Sequence, residues 1–184
     1  MAKTKYIFFA ADVQSAQASR LSQLITDCMN QKYEELYFLI SSGGGNVFEG
    51  LSLAALINAL PIKTITHNIG QIDSIATVIF SAGKERIGSK DASFMFHGIS
   101  MNLNPGAFLE QQLKELYENS KRLKENIAKG ISSYTGIPLK NIESLMIDGG
   151  SILSASEAKQ AGFISKIEEP RIPQNADLTT INNV

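Results

Sequence analysis

A single cysteine, Cys28, stands in 184 residues, so no disulfide can form within the chain and a reducing compartment is the simpler expectation. Neither sign of charge is in excess: 17 Lys and Arg offset 18 Asp and Glu, for a formal net charge of -1. That balance gives no electrostatic footing for nucleic acid or a membrane surface as partner. Long hydrophobic runs are missing too. The apolar stretch near the start breaks at Asp12, too soon for a signal peptide, and no later stretch approaches the roughly 20 residues that span a bilayer. Internal repeats and low-complexity tracts are absent. A cytoplasmic location follows as the expectation. With 43% hydrophobic and 19% charged residues the composition is globular, and the length fits one domain with a sizeable core.

What is present alternates strand with helix. Tyr6 to Ala10 reads as a buried strand, and Leu21, Leu24, Ile25, Cys28 and Met29 fall at helical spacing on one core face. Cys28 belongs to that face as a structural thiol, with nothing cationic nearby in sequence to stabilise a thiolate. Leu36 to Ile40 is a second strand, closed by Ser41-Ser42-Gly43-Gly44-Gly45. A helix follows from Val47 to Leu60, stopped before Pro61. Lys63 to Ile69 is a strand, Ser74 to Ala82 a helix of small residues, and Ser93 to Phe96 a strand ending at His97. A long helix is expected over Ala107–Tyr134, with Leu109, Leu113, Leu116, Leu123 and Ile127 along one stripe. Ser154 and Glu157 form a capping box, Gly162 stops that helix, and Phe163 to Ile167 is a last strand. From Glu168 onward the chain is polar and aperiodic, so a loose tail is expected. The alternation argues an α/β domain containing parallel strands.

Three places carry candidate chemistry. Glycines at 43–45, between a strand and a helix, let the backbone approach a ligand and turn amide hydrogens into a concavity. A phosphate site is the first rival, but the dinucleotide fingerprint needs glycine where Phe48 stands, and the loop ending in Gly-Lys-Ser/Thr is absent. A plain tight turn is the other. Ser74 sits where a strand gives way to a helix. Most such serines cap the helix; the sharper reading is a nucleophile, since a helix start offers positive potential to a developing oxyanion. It lies outside any Gly-x-Ser-x-Gly elbow. Of the two histidines, His67 lies inside a strand and reads as structural and half-buried. His97 ends an apolar strand before Gly98, where a catalytic group is held rigidly at a cleft. Each signal alone is weak; the order of glycine loop, serine, strand-end histidine and long helix is distinctive.

From about Ile7 to Ile167 the chain resembles the proteolytic subunit of the Clp protease. Ile40-Ser41-Ser42-Gly43-Gly44-Gly45-Asn46-Val47 is similar to that family's Asn-Ser-Pro-Gly-Gly-Ser-Val segment. Gly70-Gln71-Ile72-Asp73-Ser74, followed by Ser81-Ala82-Gly83, is similar to its Gly-Gln-Ala-Ala-Ser…Ala-Gly block, and Met95-Phe96-His97 to its Met-Ile-His. Tyr134-Thr135-Gly136, Leu153-Ser154-Ala155-Ser156-Glu157-Ala158 and Ala161-Gly162-Phe163-Ile164 match further landmarks. The chain departs at Asp73, where the family has alanine, at Ile75-Ala76, where it has Met-Gly, and at Gly150, where it supplies the third triad member. Asp148, freed by the two glycines after it, is the preferred carboxylate for His97, an ordinary solvated turn being the alternative. Asp73 is a second candidate, expected to point away from Ser74.

The resemblance implies a superhelix of repeated β-β-α units over residues 1–168, with residues 169–184 as a polar tail and the long helix as a handle. It implies a serine-type endopeptidase acting on peptides or unfolded protein, with Ser74 as nucleophile, His97 as base, and backbone amides of Gly44, Gly45 and Ile75 as the oxyanion hole. No metal or cofactor is implied. The partner implied is the chain itself, in a ring homo-oligomer, heptameric or doubly so. The family's amino-terminal segment, which lines the axial pore and helps dock the ATPase, has no counterpart ahead of Tyr6. A Clp ATPase is therefore not expected to engage in the usual way. Two rivals stand beside this: a ring or scaffold protein that keeps the fold without a working triad, favoured by Gly150 and Asp73, and the related crotonase-type acyl-CoA enzymes, against which Ser74 and His97 speak.

Overall fold

The computed structural model describes residues 3–100, 106–147 and 149–183. In chain order the elements are β1 (Thr4–Ala10), α1 (Ser15–Asn30), β2 (Glu35–Ser42), α2 (Val47–Ala59), β3 (Lys63–Asp73), α3 (Ala76–Ser81), β4 (Glu85–Gly88), β5 (Ser93–Phe96), α4 (Glu110–Thr135), α5 (Leu139–Leu145), β6 (Ser151–Ser154), α6 (Ala155–Gln160), β7 (Lys166–Ile167) and β8 (Asp177–Asn182). The strands join in one eight-stranded sheet ordered β6-β5-β3-β2-β1-β8, with β4 set between β3 and β7 off that path. Every pair is parallel except β5 with β6. This is the mixed α/β architecture expected from the alternation of strand and helix.

The feature that builds the site is the length of β3. Its 11 residues outrun either partner on its far side. Ile65–Asn68 pairs with Glu85–Gly88 of β4, and Gln71–Asp73 pairs with Ser93–Met95 of β5. Between those stretches the register against β2 slips, from Ile40 opposite Asn68 to Ser42 opposite Ile72. An irregularity of this kind bends a strand and re-aims the residues beyond it. The bend carries β3 from one neighbour to the next and sets Asp73 opposite Met95. Ser74 and the end of β5 thus arrive at the same place.

Burial on β5 alternates with the pleat: Phe94 and Phe96 are buried, Met95 and His97 are half-buried on the opposite face. The two buried rings meet Phe80 and Phe163, with centroids 5.1 to 5.5 Å apart and mostly edge-on. This aromatic knot ties β5, the wholly buried α3 and the turn after α6 into one core. The same alternation that sinks the rings holds His97 out. Cys28 is buried on α1, where burial pushes its thiol pKa up.

Helix α4 has 26 residues, roughly 39 Å at 1.5 Å per residue. Only Ile127, Ala128 and Ile131 near its end are buried; Leu109, Leu113 and Tyr117 stay exposed. Gly136, at φ 77°, stops it in the left-handed conformation that glycine adopts without strain. The expected handle is present, starting at Glu110 rather than Ala107.

Four expectations need correction. The segment from Glu168 is not loose throughout: β8 pairs in parallel along β1, from Lys5 opposite Asp177 to Ala10 opposite Asn182. Its polar sequence hides this because an edge strand is held by backbone bonds, here with one buried anchor, Ile181, and the Lys5–Asp177 ion pair at 2.5 Å. The strand expected over Phe163–Ile167 shrinks to Lys166–Ile167, since Phe163 and Ile164 are core residues in a turn. The helix expected from Ser74 begins at Ala76, and Ser74 does not cap it. His67 is fully buried rather than half, between the Tyr37 hydroxyl at 2.7 Å and the Ser89 hydroxyl at 3.3 Å.

Candidate functional site

The glycine segment joins β2 to α2, and Asn46 closes it by accepting at its side-chain oxygen from Phe48 N at 2.9 Å and Glu49 N at 3.2 Å. Gly44 takes φ 91° and Gly45 φ 144°. Space enforces glycine at both as strongly as backbone angle does. A Cβ on Gly44 would stand 2.7 Å from Ser74 Cβ and 2.8 Å from the Asp73 carbonyl oxygen. A Cβ on Gly45 would stand 2.5 Å from the Val13 carbonyl oxygen. The loop backbone therefore passes directly over Ser74, which a side chain would forbid.

Ser74 has φ 56°, a left-handed geometry that non-glycine residues seldom adopt. The surrounding bonds fix it. Its N–H donates to the Met95 carbonyl at 2.9 Å, while its own carbonyl accepts from Thr77 N at 3.0 Å and from Thr77 Oγ1 at 2.6 Å. The side chain is left half-buried, facing the Gly44 backbone, with Gly44's hypothetical Cβ 3.3 Å from Ser74 Oγ.

The amide hydrogens nearby divide into used and unused. Gly44 N–H donates to Ser42 Oγ at 3.3 Å. Gly45 N–H and Ile75 N–H have no acceptor among the described residues. Ile75 is buried at the start of α3.

His97 follows the last residue of β5, two positions beyond Met95. Ser74 is bonded to Met95 through its backbone, so both candidates lie at the C-terminal ends of adjacent parallel strands. No hydrogen bond joins their side chains. The His97 Nδ1 instead meets the carbonyl oxygen of Gly98. A cleft of about 460 Å³ opens beside His97, lined by Met95, His97, Gly98, Ile99, Ser100 and Gly149.

Gly150, at φ 78°, backs this arrangement. A Cβ there would stand 2.9 Å from the Phe96 carbonyl oxygen and 3.1 Å from His97 Cβ, so the position presses on the histidine and admits no side chain. Asp148 lies outside the described residues. Asp73 is half-buried beside Ser74; burial pushes its pKa up, opposed by the Met95 backbone and the charge of His97. Being opposite Met95 in register, Asp73 shares a sheet face with Met95 and His97, so it does not point clear of the site. Among the described residues no group of three or more His, Cys, Asp or Glu could hold a metal ion. No helix among them is long and apolar enough to cross a membrane.

The chain is similar to known proteins in sequence and in fold. Residues 1–171 match the family model described as Clp protease. An ATP-dependent Clp protease proteolytic subunit from Oltmannsiellopsis viridis is 25% identical over 171 residues, covering 90% of this chain and 84% of that one. A ClpP1 mutant from Listeria monocytogenes superposes with a TM-score of 0.76 at 21% identity, covering 92% of each chain, which is a likeness of fold.

Proposed function

This chain belongs to the Clp protease family, and on that premise we propose that it is a serine endopeptidase built on Ser74 and His97. One observation carries the reading: Gly44 closes to within a side chain's width of Ser74, which is held in a left-handed backbone geometry beside the strand end that bears His97. A strained residue over-determined by its surroundings is a frequent mark of a functional site.

The chemistry follows from the atoms. Nδ1–H of His97 donating to the Gly98 carbonyl leaves Nε2 as the basic nitrogen. Nε2 takes the proton as Ser74 Oγ bonds to a peptide carbonyl carbon, and returns it to the leaving amine as the C–N bond breaks. Water then repeats the cycle on the acyl-serine. The unused N–H groups of Gly45 and Ile75 are the donors for the oxyanion, each such donor being worth about 2.7–4 kcal/mol in the transition state. Gly44, with its N–H on Ser42, contributes by its close approach. A bound peptide would bring Ser74 Oγ and His97 Nε2 into hydrogen-bond reach, as such bonds tighten in the reacting complex.

Asp148 is proposed as the carboxylate for His97, with Asp73 as alternate. Self-association into a ring, heptameric or double, is proposed from the family, with the exposed Leu113 and Tyr117 of α4, and Leu109 just ahead of it, available for burial between copies. Peptides or unfolded protein are the proposed substrates, in a reducing, cytoplasmic compartment consistent with the lone buried Cys28. A second reading, a ring or scaffold protein without turnover, is favoured by one observation: Gly150 admits no side chain against His97. Fluorophosphonate labelling separates the two, since only an activated Ser74 is phosphonylated.

A further inference from the structure

The segment beyond the family match is tied to the site. β8 lies past residue 171 and runs along β1 as an edge strand. At its far end Asn183 meets Asp12 twice. Its Oδ1 accepts from Asp12 N at 2.9 Å, and its Nδ2 donates to Asp12 Oδ2 at 3.3 Å. Asp12 and Val13 are the floor beneath the glycine loop. Val13 N donates to the Gly44 carbonyl at 2.7 Å, Asn46 N donates to the Val13 carbonyl at 2.7 Å, and Asp12 Oδ1 is 3.6 Å from where a Gly43 Cβ would stand. Gly45 rests against the Val13 carbonyl, and Gly44 against Ser74.

These contacts form an unbroken chain from Asn183 through Asp12 and Val13 to Gly44 and Ser74. Ile181, buried at 2% exposure, and the Asp177 contacts with Lys5 and Tyr33 anchor the strand that presents Asn183. We infer that β8 is a strap and Asn183 a positioning residue, which by holding Asp12 and Val13 sets the conformation of the Gly43–Gly45 loop over the nucleophile. The catalytic consequence rests on Ser74 being that nucleophile; the mechanical one does not.

The test uses the full chain with Asn183→Ala and Asn183→Asp, the latter setting a second carboxylate against Asp12. Glu125→Gln, which removes the exposed ion pair with Lys129 on α4 and leaves β8 untouched, serves as control. Hydrogen exchange at the Val13 and Asn46 amides is read together with the rate at which a fluorophosphonate labels Ser74. Loss of these two exposed bonds is expected to speed exchange at both amides roughly three- to tenfold. Labelling should slow by a similar factor, with the reagent concentration for half-maximal rate unchanged and Glu125→Gln leaving both readouts near the parent. Exchange at Val13 and Asn46 unchanged in both Asn183 variants, or raised equally by Glu125→Gln, would overturn the strap. An unlabelled Ser74 in the parent protein would count against the peptidase reading alone, and the exchange result would still decide the strap.

Discussion

At the scale of single residues the proposed chemistry turns on Ser74 and on two candidate carboxylates, Asp73 and Asp148. Holding a serine at φ 56° costs of order 1–3 kcal/mol, which the bonds to Met95 and Thr77 and the overlying Gly44 backbone offset. Asp73 adds a cost of its own, because burial raises its pKa above the ordinary 3.8. Between 3.8 and that raised value the folded chain keeps a proton that the unfolded chain has released. Stability therefore falls as pH climbs through the window and stays reduced at neutrality. Asp73→Asn is expected to raise Tm at pH 7 relative to the parent, with the gain disappearing below pH 3.8. A lower Tm at pH 7 would mean that the carboxylate is a stabilising partner of His97 instead. Asp148 is separated from it by turnover: Asp148→Asn should leave Tm in place and cut peptide hydrolysis severely, the same exchange costing about 10⁴-fold in a serine-protease triad. Hydrolysis unchanged in Asp148→Asn would leave a Ser–His dyad, its histidine oriented by the Gly98 carbonyl.

Elements set how far these residues can stray. β5 offers only Ser93–Phe96, so His97 owes its placement to the rings of Phe94 and Phe96 locked against Phe80 and Phe163. Phe163→Ala removes the ring common to two of these contacts, and to a third with Phe80, and is expected to cost about 3–5 kcal/mol in denaturant unfolding. A loss under about 1 kcal/mol would show that the knot repacks and does not fix the strand. Much at this scale was legible in sequence. Ser93–Phe96 read as a short apolar strand ending at His97, and that is the span of β5. Ser154 and Glu157 announced their capping box, made here at 2.8 and 3.3 Å. The fork of β3 was not legible, since its cause is a register slip against β2. Short β4, α5 and β6 lacked enough residues to establish a period, and β8 lacked an apolar face. Ser74 read as a helix start because nothing in a sequence marks a serine for positive φ.

Over the whole molecule, one sheet gathers parts of the site from well-separated stretches of chain. The glycine loop comes from the β2–α2 turn, Ser74 from the end of β3, His97 from the end of β5 and Gly150 from the approach to β6. Such convergence is invisible to local pattern, and the order of the motifs along the chain was what revealed it. The most direct measurement on the central claim is mass spectrometry of the protein after treatment with a fluorophosphonate, in which Ser74 Oγ would bond to phosphorus and expel fluoride. The account predicts a single adduct on the peptide bearing Ser74, lost in Ser74→Ala and strongly slowed in His97→Ala. An unmodified Ser74 in a folded parent protein, or labelling at the same rate in His97→Ala, would contradict it.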